Sequence, residues 1–147
     1  MTVATQPAPA TTNDVKLVSE AVMRSYGRCS INPKFFDRFY ARFTAKSPVI
    51  GQMFAKTDMA KQKLALRSGI SFLLQFANGS NFAATKVAQL GESHKRDRLN
   101  VAPSMYPLWL DALMETVAEC DDQFTPEVRA AWLAALRKGI EKMTSMY

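Results

Sequence analysis

The chain has 147 residues, 48% apolar and 22% charged, which suits one folded domain and excludes a disordered chain. Its net charge of +6 (19 Lys and Arg against 13 Asp and Glu) is modest for a nucleic-acid binder and also suits an anionic ligand or an acidic protein partner. Two cysteines, Cys29 and Cys120, show no metal-like spacing, and with one histidine they argue against a disulfide framework or a protein-only zinc site.

Residues 1–13 carry no charged side chain and are rich in Thr, Ala and Pro. They lack the basic start and apolar segment of a secretory signal, so a flexible tail is expected there, with one domain over 14–147. No apolar run reaches the ~18 residues that a membrane helix needs, and a soluble, cytoplasmic protein is expected.

A first helix is expected from Asp14 to Tyr26, capped by Asn13 or Asp14 and ended by Gly27. Asn32-Pro33 has the form of a cap followed by a first-turn proline. The helix it announces carries Phe35, Phe36, Phe39, Tyr40 and Phe43, the densest aromatic face in the chain. Such a face is a core stripe, or it lines a slot for a planar ligand. A buried Tyr40 hydroxyl would need a partner.

Ser47-Pro48 opens a very short helical segment from Val49 to Phe54, and Thr57-Asp58 caps a longer one from Met59 to about Ala77. On that helix Gln62, Leu66, Gly69, Ile70 and Leu73 share one face. Asn78-Gly79-Ser80 breaks the chain. A helix over about Asn81 to His94 follows, with Val87, Leu90 and His94 on one face. Pro103 is expected to begin the next, which carries Tyr106, Trp109, Leu110, Leu113 and Val117 to about Cys120. Thr125-Pro126-Glu127 starts the last, with Val128, Trp132, Leu136 and Ile140 at successive fours, to about Met143. No alternating strand pattern and no repeat occurs. The fold class is all-α, with about seven helical segments.

His94 is the only histidine. Placed at a helix end before a turn, it has three readings on its own: a core histidine, a catalytic acid or base, or an axial ligand of a cofactor iron. The order of features around it resembles a globin, and specifically the single-domain bacterial globins related to the haem domain of flavohaemoglobins. The resemblance covers about Asp14 to Met143. It rests on Phe39-Tyr40 with Phe43, Pro48 and Phe54 after it, on Gln62 and Leu66, on His94 32 residues beyond Gln62 (94 − 62), on Tyr106-Pro107, and on Thr125-Pro126-Glu127-Val128 through Trp132.

The resemblance implies a globin fold around a pocket for haem b, with His94 as the proximal iron ligand through a neutral ring nitrogen. Phe54 would stack on the haem, Leu66 would wall the pocket and Val101 would pack near the proximal side. Tyr40 and Gln62 would be the distal pair, donating hydrogen bonds to O₂ and to NO or CO. Two donors favour tight O₂ binding, redox chemistry or sensing over easy oxygen transport. Conversion of NO to nitrate by bound O₂ is a further implied activity. No Gly-rich fingerprint accompanies the globin segment, so that activity would need an external reductase as partner. A gas sensor signalling through a partner is the remaining alternative.

The sequence departs from the flavohaemoglobin pattern in three places. The link from Phe54 to Gln62 is about two residues shorter, and the link from His94 to Tyr106 about two residues longer. In that family a Tyr and a buried Glu bond with the proximal histidine. Tyr106 matches the Tyr, but the position for the Glu, about fifteen residues past Trp132, falls at Tyr147. Glu92 and Glu141 are the possible substitutes. The basic cluster Lys95, Arg96 and Arg98 is a solvated helix end or a site near the haem propionates. It lacks the interleaved aromatics of a nucleic-acid surface.

Overall fold

The computed structural model describes residues 12–147, with side-chain surroundings from residue 20 onward. The tail before residue 12 and the side chains of residues 12–19, the expected caps Asn13 and Asp14 among them, lie outside that description, and the first helix begins at Thr12, two residues before the expected start. Seven helices follow in order: α1 (Thr12–Ser30), α2 (Phe35–Ala45), α3 (Pro48–Met53), α4 (Met59–Ala77), α5 (Asn81–His94), α6 (Met105–Cys120) and α7 (Pro126–Ser145). No strand occurs among the described residues, and no described helix is long and apolar enough to cross a membrane.

Side-chain caps fix most of the helix starts. Ser47 accepts from the Val49 amide (3.2 Å), Asp58 from Ala60 (3.1 Å) and Lys61 (3.3 Å), Ser80 from Ala83 (3.1 Å), and Thr125 from Val128 (3.1 Å). Each bond satisfies a first-turn amide that has no partner within the helix.

Among the boundaries that differ from the sequence expectation, three have a clear physical reason. Helix α1 does not stop at Gly27 but runs to Ser30. A Cβ at Gly27 would meet nothing within 4 Å, so this glycine is an exposed helical residue and no stop signal. The continued turn carries Cys29, fully buried, and Arg28 into tertiary contacts that outweigh the local glycine penalty of about 1 kcal/mol. Helix α2 starts at Phe35, with Lys34 as a cap that makes no side-chain bond. Asn32 instead accepts from the Lys34 amide (2.9 Å), a local Asx turn that delays the helix by two residues. Helix α6 starts at Met105, and Pro103 belongs to the turn before it.

Helix α4 lies at the centre, against α1, α2, α5 and α7, while α6 packs on α2 and α7 packs on α1 and α5. Phe35, Phe39, Ile70, Leu113, Trp132 and Leu136 are fully buried. Trp132 meets Tyr26 edge-on at 5.9 Å and donates to the Ser25 hydroxyl (2.9 Å). Ser25 donates in turn to Asp121 (2.6 Å), which also binds Arg28 through its Nε (2.5 Å). This polar chain joins α1, the end of α6 and α7. Every buried member is paired, as burial in a low-dielectric core requires.

Close approach of α4 and α7 needs Gly139, where a Cβ would stand 2.4 Å from Cδ2 of Leu73. Together these contacts frame a space lined by α2, α3, α4, α5, α6 and α7.

Candidate functional site

That space is a cavity of about 390 Å³, within the range of small-ligand and cofactor sites. Tyr40 and Phe43 reach it from α2, and Met53, Phe54 and Thr57 from α3 and the turn after it. Gln62, Leu66, Gly69, Ile70 and Leu73 come from α4, Leu90, Ser93 and His94 from α5, Leu99 and Val101 from the following loop, Tyr106 and Trp109 from α6, and Ile140 and Met143 from α7. Its lining is mostly apolar, with a few polar groups: Tyr40, Thr57, Gln62, Ser93, His94 and Tyr106.

All seven residues singled out from the sequence (Tyr40, Phe54, Gln62, Leu66, His94, Val101 and Tyr106) line this one cavity. They come from six different parts of the chain, so the fold, not local sequence, brings them together. Gly69 sits where a larger residue would fill the space. Its missing side chain leaves Leu90 Cδ1 3.9 Å from the Cβ position.

The geometry of His94 fixes which nitrogen is available. Nδ1 lies 2.7 Å from the Leu90 carbonyl and 2.9 Å from the Ser93 hydroxyl. A carbonyl only accepts, so the proton sits on Nδ1 and donates to Leu90, and Nε2 keeps its lone pair. Among the described residues Nε2 has no hydrogen-bond partner. Burial holds the imidazole below its ordinary pKa, and the Leu90 bond offsets this only in part. His94 thus lines the cavity as an imidazole protonated on Nδ1, with Nε2 unengaged among the described residues.

Tyr40 and Gln62 form the other polar pair. The Gln62 amide donates to the Tyr40 hydroxyl oxygen at 3.0 Å. Tyr40 is therefore an acceptor in this bond, and its own O–H proton remains free to donate. Burial pushes the phenol up to about 12, and the bond from Gln62 pulls it back slightly, so Tyr40 stays protonated through the physiological range. The Phe54 ring meets Tyr40 edge-on at 5.4 Å and tilts against Phe43 at 6.1 Å, fixing the floor beside the pair.

Tyr106 lines the cavity, but its hydroxyl makes no hydrogen bond to His94. Burial alone raises its pKa. Glu92 pairs with Lys95 at 2.8 Å and does not reach the imidazole. The groups that hold Nδ1 are the Leu90 carbonyl, one helical turn back, and Ser93. Neither was singled out from the sequence. Leu90 was placed only on the face of α5 that carries His94, and no sequence signal marks its carbonyl, which also accepts the helical amide four residues on. Trp109, Leu99 and Ile140 are further wall residues that helical periodicity assigned to the core or left aside.

Helix order and a mostly apolar cavity lined by the single imidazole define an all-α protein with one internal ligand-sized site. The globin family model matches residues 37–143. A flavohemoprotein of Vibrio cholerae serotype O1 is 30% identical over 109 residues, 72% of this chain but 27% of that protein. The chain thus spans about a quarter of that relative's length. A crystal structure from Pseudomonas aeruginosa PAO1, of a protein described as structurally highly homologous to a human hemoglobin, matches with a TM-score of 0.85 and 45% identity. It covers 88% of this chain and 98% of that one. The chain belongs to the globin family, a haem-binding class of helical proteins.

Proposed function

We propose that this globin binds haem b in the cavity between α2, α4, α5 and α6, with Nε2 of His94 as the iron ligand, and that it takes up O₂, NO or CO beside Tyr40 and Gln62. The observation that carries this reading is the state of His94: Nδ1 is committed to a backbone carbonyl and Nε2 is unengaged toward the slot. No group of three His, Cys, Asp or Glu side chains is placed to hold a metal among the described residues, so an iron at His94 would need ligands from a macrocycle. The surrounding walls fit such a group, being apolar at Phe54, Leu66 and Val101.

When bound, haem supplies an iron that binds diatomic gases. The chain's residues do the rest. Leu90 and Ser93 fix the tautomer and the orientation of the imidazole. Leu66, Ile70 and Phe43 exclude water from the ligand side, which strengthens every polar contact there. Tyr40 donates its proton to an anionic or polar ligand atom, while Gln62 holds the phenol oxygen in place. Gln62 is half-buried, so its second amide hydrogen serves as an auxiliary donor.

Adding haem to haem-free protein tests the reading. Trp109 lines the cavity, and energy transfer to haem there should quench its fluorescence with one-to-one stoichiometry. A Trp109 signal unaltered by a stoichiometric amount of haem would contradict occupancy of this cavity.

A further inference from the structure

The loop after His94 is folded back on the helix end and is also held from outside. Val101 N–H donates to the His94 carbonyl (2.9 Å), Leu99 N–H to the Ser93 carbonyl (3.2 Å) and Asn100 N–H to the Lys95 carbonyl (2.9 Å). These bonds satisfy the last carbonyls of α5 in place of a glycine cap. They require Asn100 to sit at φ +54°, the left-handed region that Asn tolerates better than most residues.

The hold from outside comes from the end of α7. The Tyr147 hydroxyl donates to Asn100 Oδ1 at 2.6 Å, across 47 residues of sequence. The Arg96 guanidinium stands over the same tyrosine ring, 4.6 Å from its centroid. One residue earlier, Met146 lies against Gly91, where a Cβ would stand 2.5 Å from the methionine sulfur. His94 therefore lies between two grips from one helix end, Met146 on the turn before it and Tyr147 on the loop after it.

We infer that Tyr147, with Arg96 and Asn100, is a positioning clasp that sets how His94 is presented to the cavity. The inference rests on the proposed reading of His94 as an iron ligand. The mechanism is direct. Val101 is bonded to the His94 backbone and also lines the cavity, as does Leu99. A loop that loosens at Asn100 lets the backbone at His94 rotate, and the imidazole turns with it.

The test combines two readouts. The first is hydrogen exchange at the Val101 amide in haem-free protein. The second is the iron–histidine vibration of the ferrous, gas-free haem protein. Tyr147→Phe removes only the hydroxyl, and Asn100→Gly removes the acceptor while keeping a left-handed backbone accessible. Each should speed Val101 exchange about two- to tenfold, the effect of one lost hydrogen bond, and shift the vibration in the same direction. The double variant should go no further than either single one. Asn100→Asp, which keeps an acceptor, should behave as wild type, and so should Ser145→Ala at the same helix end. Exchange and vibration both unchanged in Tyr147→Phe would overturn the inference. Faster exchange with an unshifted vibration would also overturn it, since the clasp would then hold the loop without positioning His94. A wild-type haem spectrum insensitive to His94→Ala refutes the ligand reading itself, a result separate from the Tyr147 comparison, and the inference falls with it.

Discussion

Replacing Tyr40 by Phe removes one oxygen atom from the cavity and should speed O₂ release. The phenol is 6% exposed, so water cannot readily take over its role. Its oxygen accepts from Gln62 at 3.0 Å, which leaves its one proton for the ligand. One hydrogen bond of ordinary net strength is worth about 0.5–1.5 kcal/mol, which corresponds to a dissociation rate roughly two to twelve times faster. The dry surroundings favour the upper half of that range. Gln62→Leu should have a smaller direct effect but should also free Tyr40 to turn, so the two changes should not add. Residues in direct contact commonly couple by about 0.5–3 kcal/mol. The assay is rapid mixing of the oxygenated protein with excess CO, for wild type, both single variants and the double variant. A Tyr40→Phe rate within twofold of wild type would refute the assignment of Tyr40 as donor. Strict additivity would refute the role given to Gln62 as its holder.

Two further predictions concern the scaffold. Burial pushes the Asp121 carboxyl up, but Arg28, Ser25 and the Gln123 amide together hold it below the usual carboxylate range. Its contribution is therefore fully present above the ordinary Asp pKa of about 3.9 and is lost as pH falls through the lowered folded value. Asp121→Asn should cost roughly 3 kcal/mol near neutral pH, the low end for breaking a buried pair because Arg28 keeps some solvent. The gap in Tm between wild type and variant should close only in acid. A gap that widens as pH falls below 4 would contradict the assignment. Gly139→Ala should turn Leu73 toward the cavity, a cost of about 1–3 kcal/mol that the helix preference of Ala over Gly offsets by about 1 kcal/mol, so the net loss read by denaturant unfolding should be at most about 2 kcal/mol. A gain of about 1 kcal/mol, the full helix preference, would mean that α4 and α7 are less closely packed than described.

Much of the fold was legible because short-range chemistry sets it. Ser47, Asp58 and Thr125 announce their helices through caps, and α4 and α5 have the limits that their sequences suggest. The failures have two causes: a local signal overridden by distant contacts, and a competing local turn. Gly27 reads as a stop, yet α1 continues because Arg28 must reach Asp121, 93 residues away. Asn32 reads as a cap, yet its side chain closes a turn before the helix starts. Within the site, Tyr40, Gln62 and His94, named from the resemblance, all line one cavity. The partners of His94 Nδ1 were not legible, since one is a backbone carbonyl that any residue supplies. The resemblance pointed instead to Tyr106 and a carboxylate. In this chain Tyr106 makes no bond to the imidazole, and the aligned position, Tyr147, grips Asn100. That contact joins residues with no pattern between them, and only the folded chain brings them together.

The central claim is that Nε2 of His94 binds the iron of a haem in this cavity. Its most direct test is the absorption spectrum of the ferrous, CO-bound protein, compared between wild type and His94→Gly with and without added imidazole. The account predicts a strong Soret band in wild type, an altered band in His94→Gly, and return toward the wild-type spectrum when imidazole fills the vacated position. A His94→Gly spectrum identical to wild type without imidazole would contradict it.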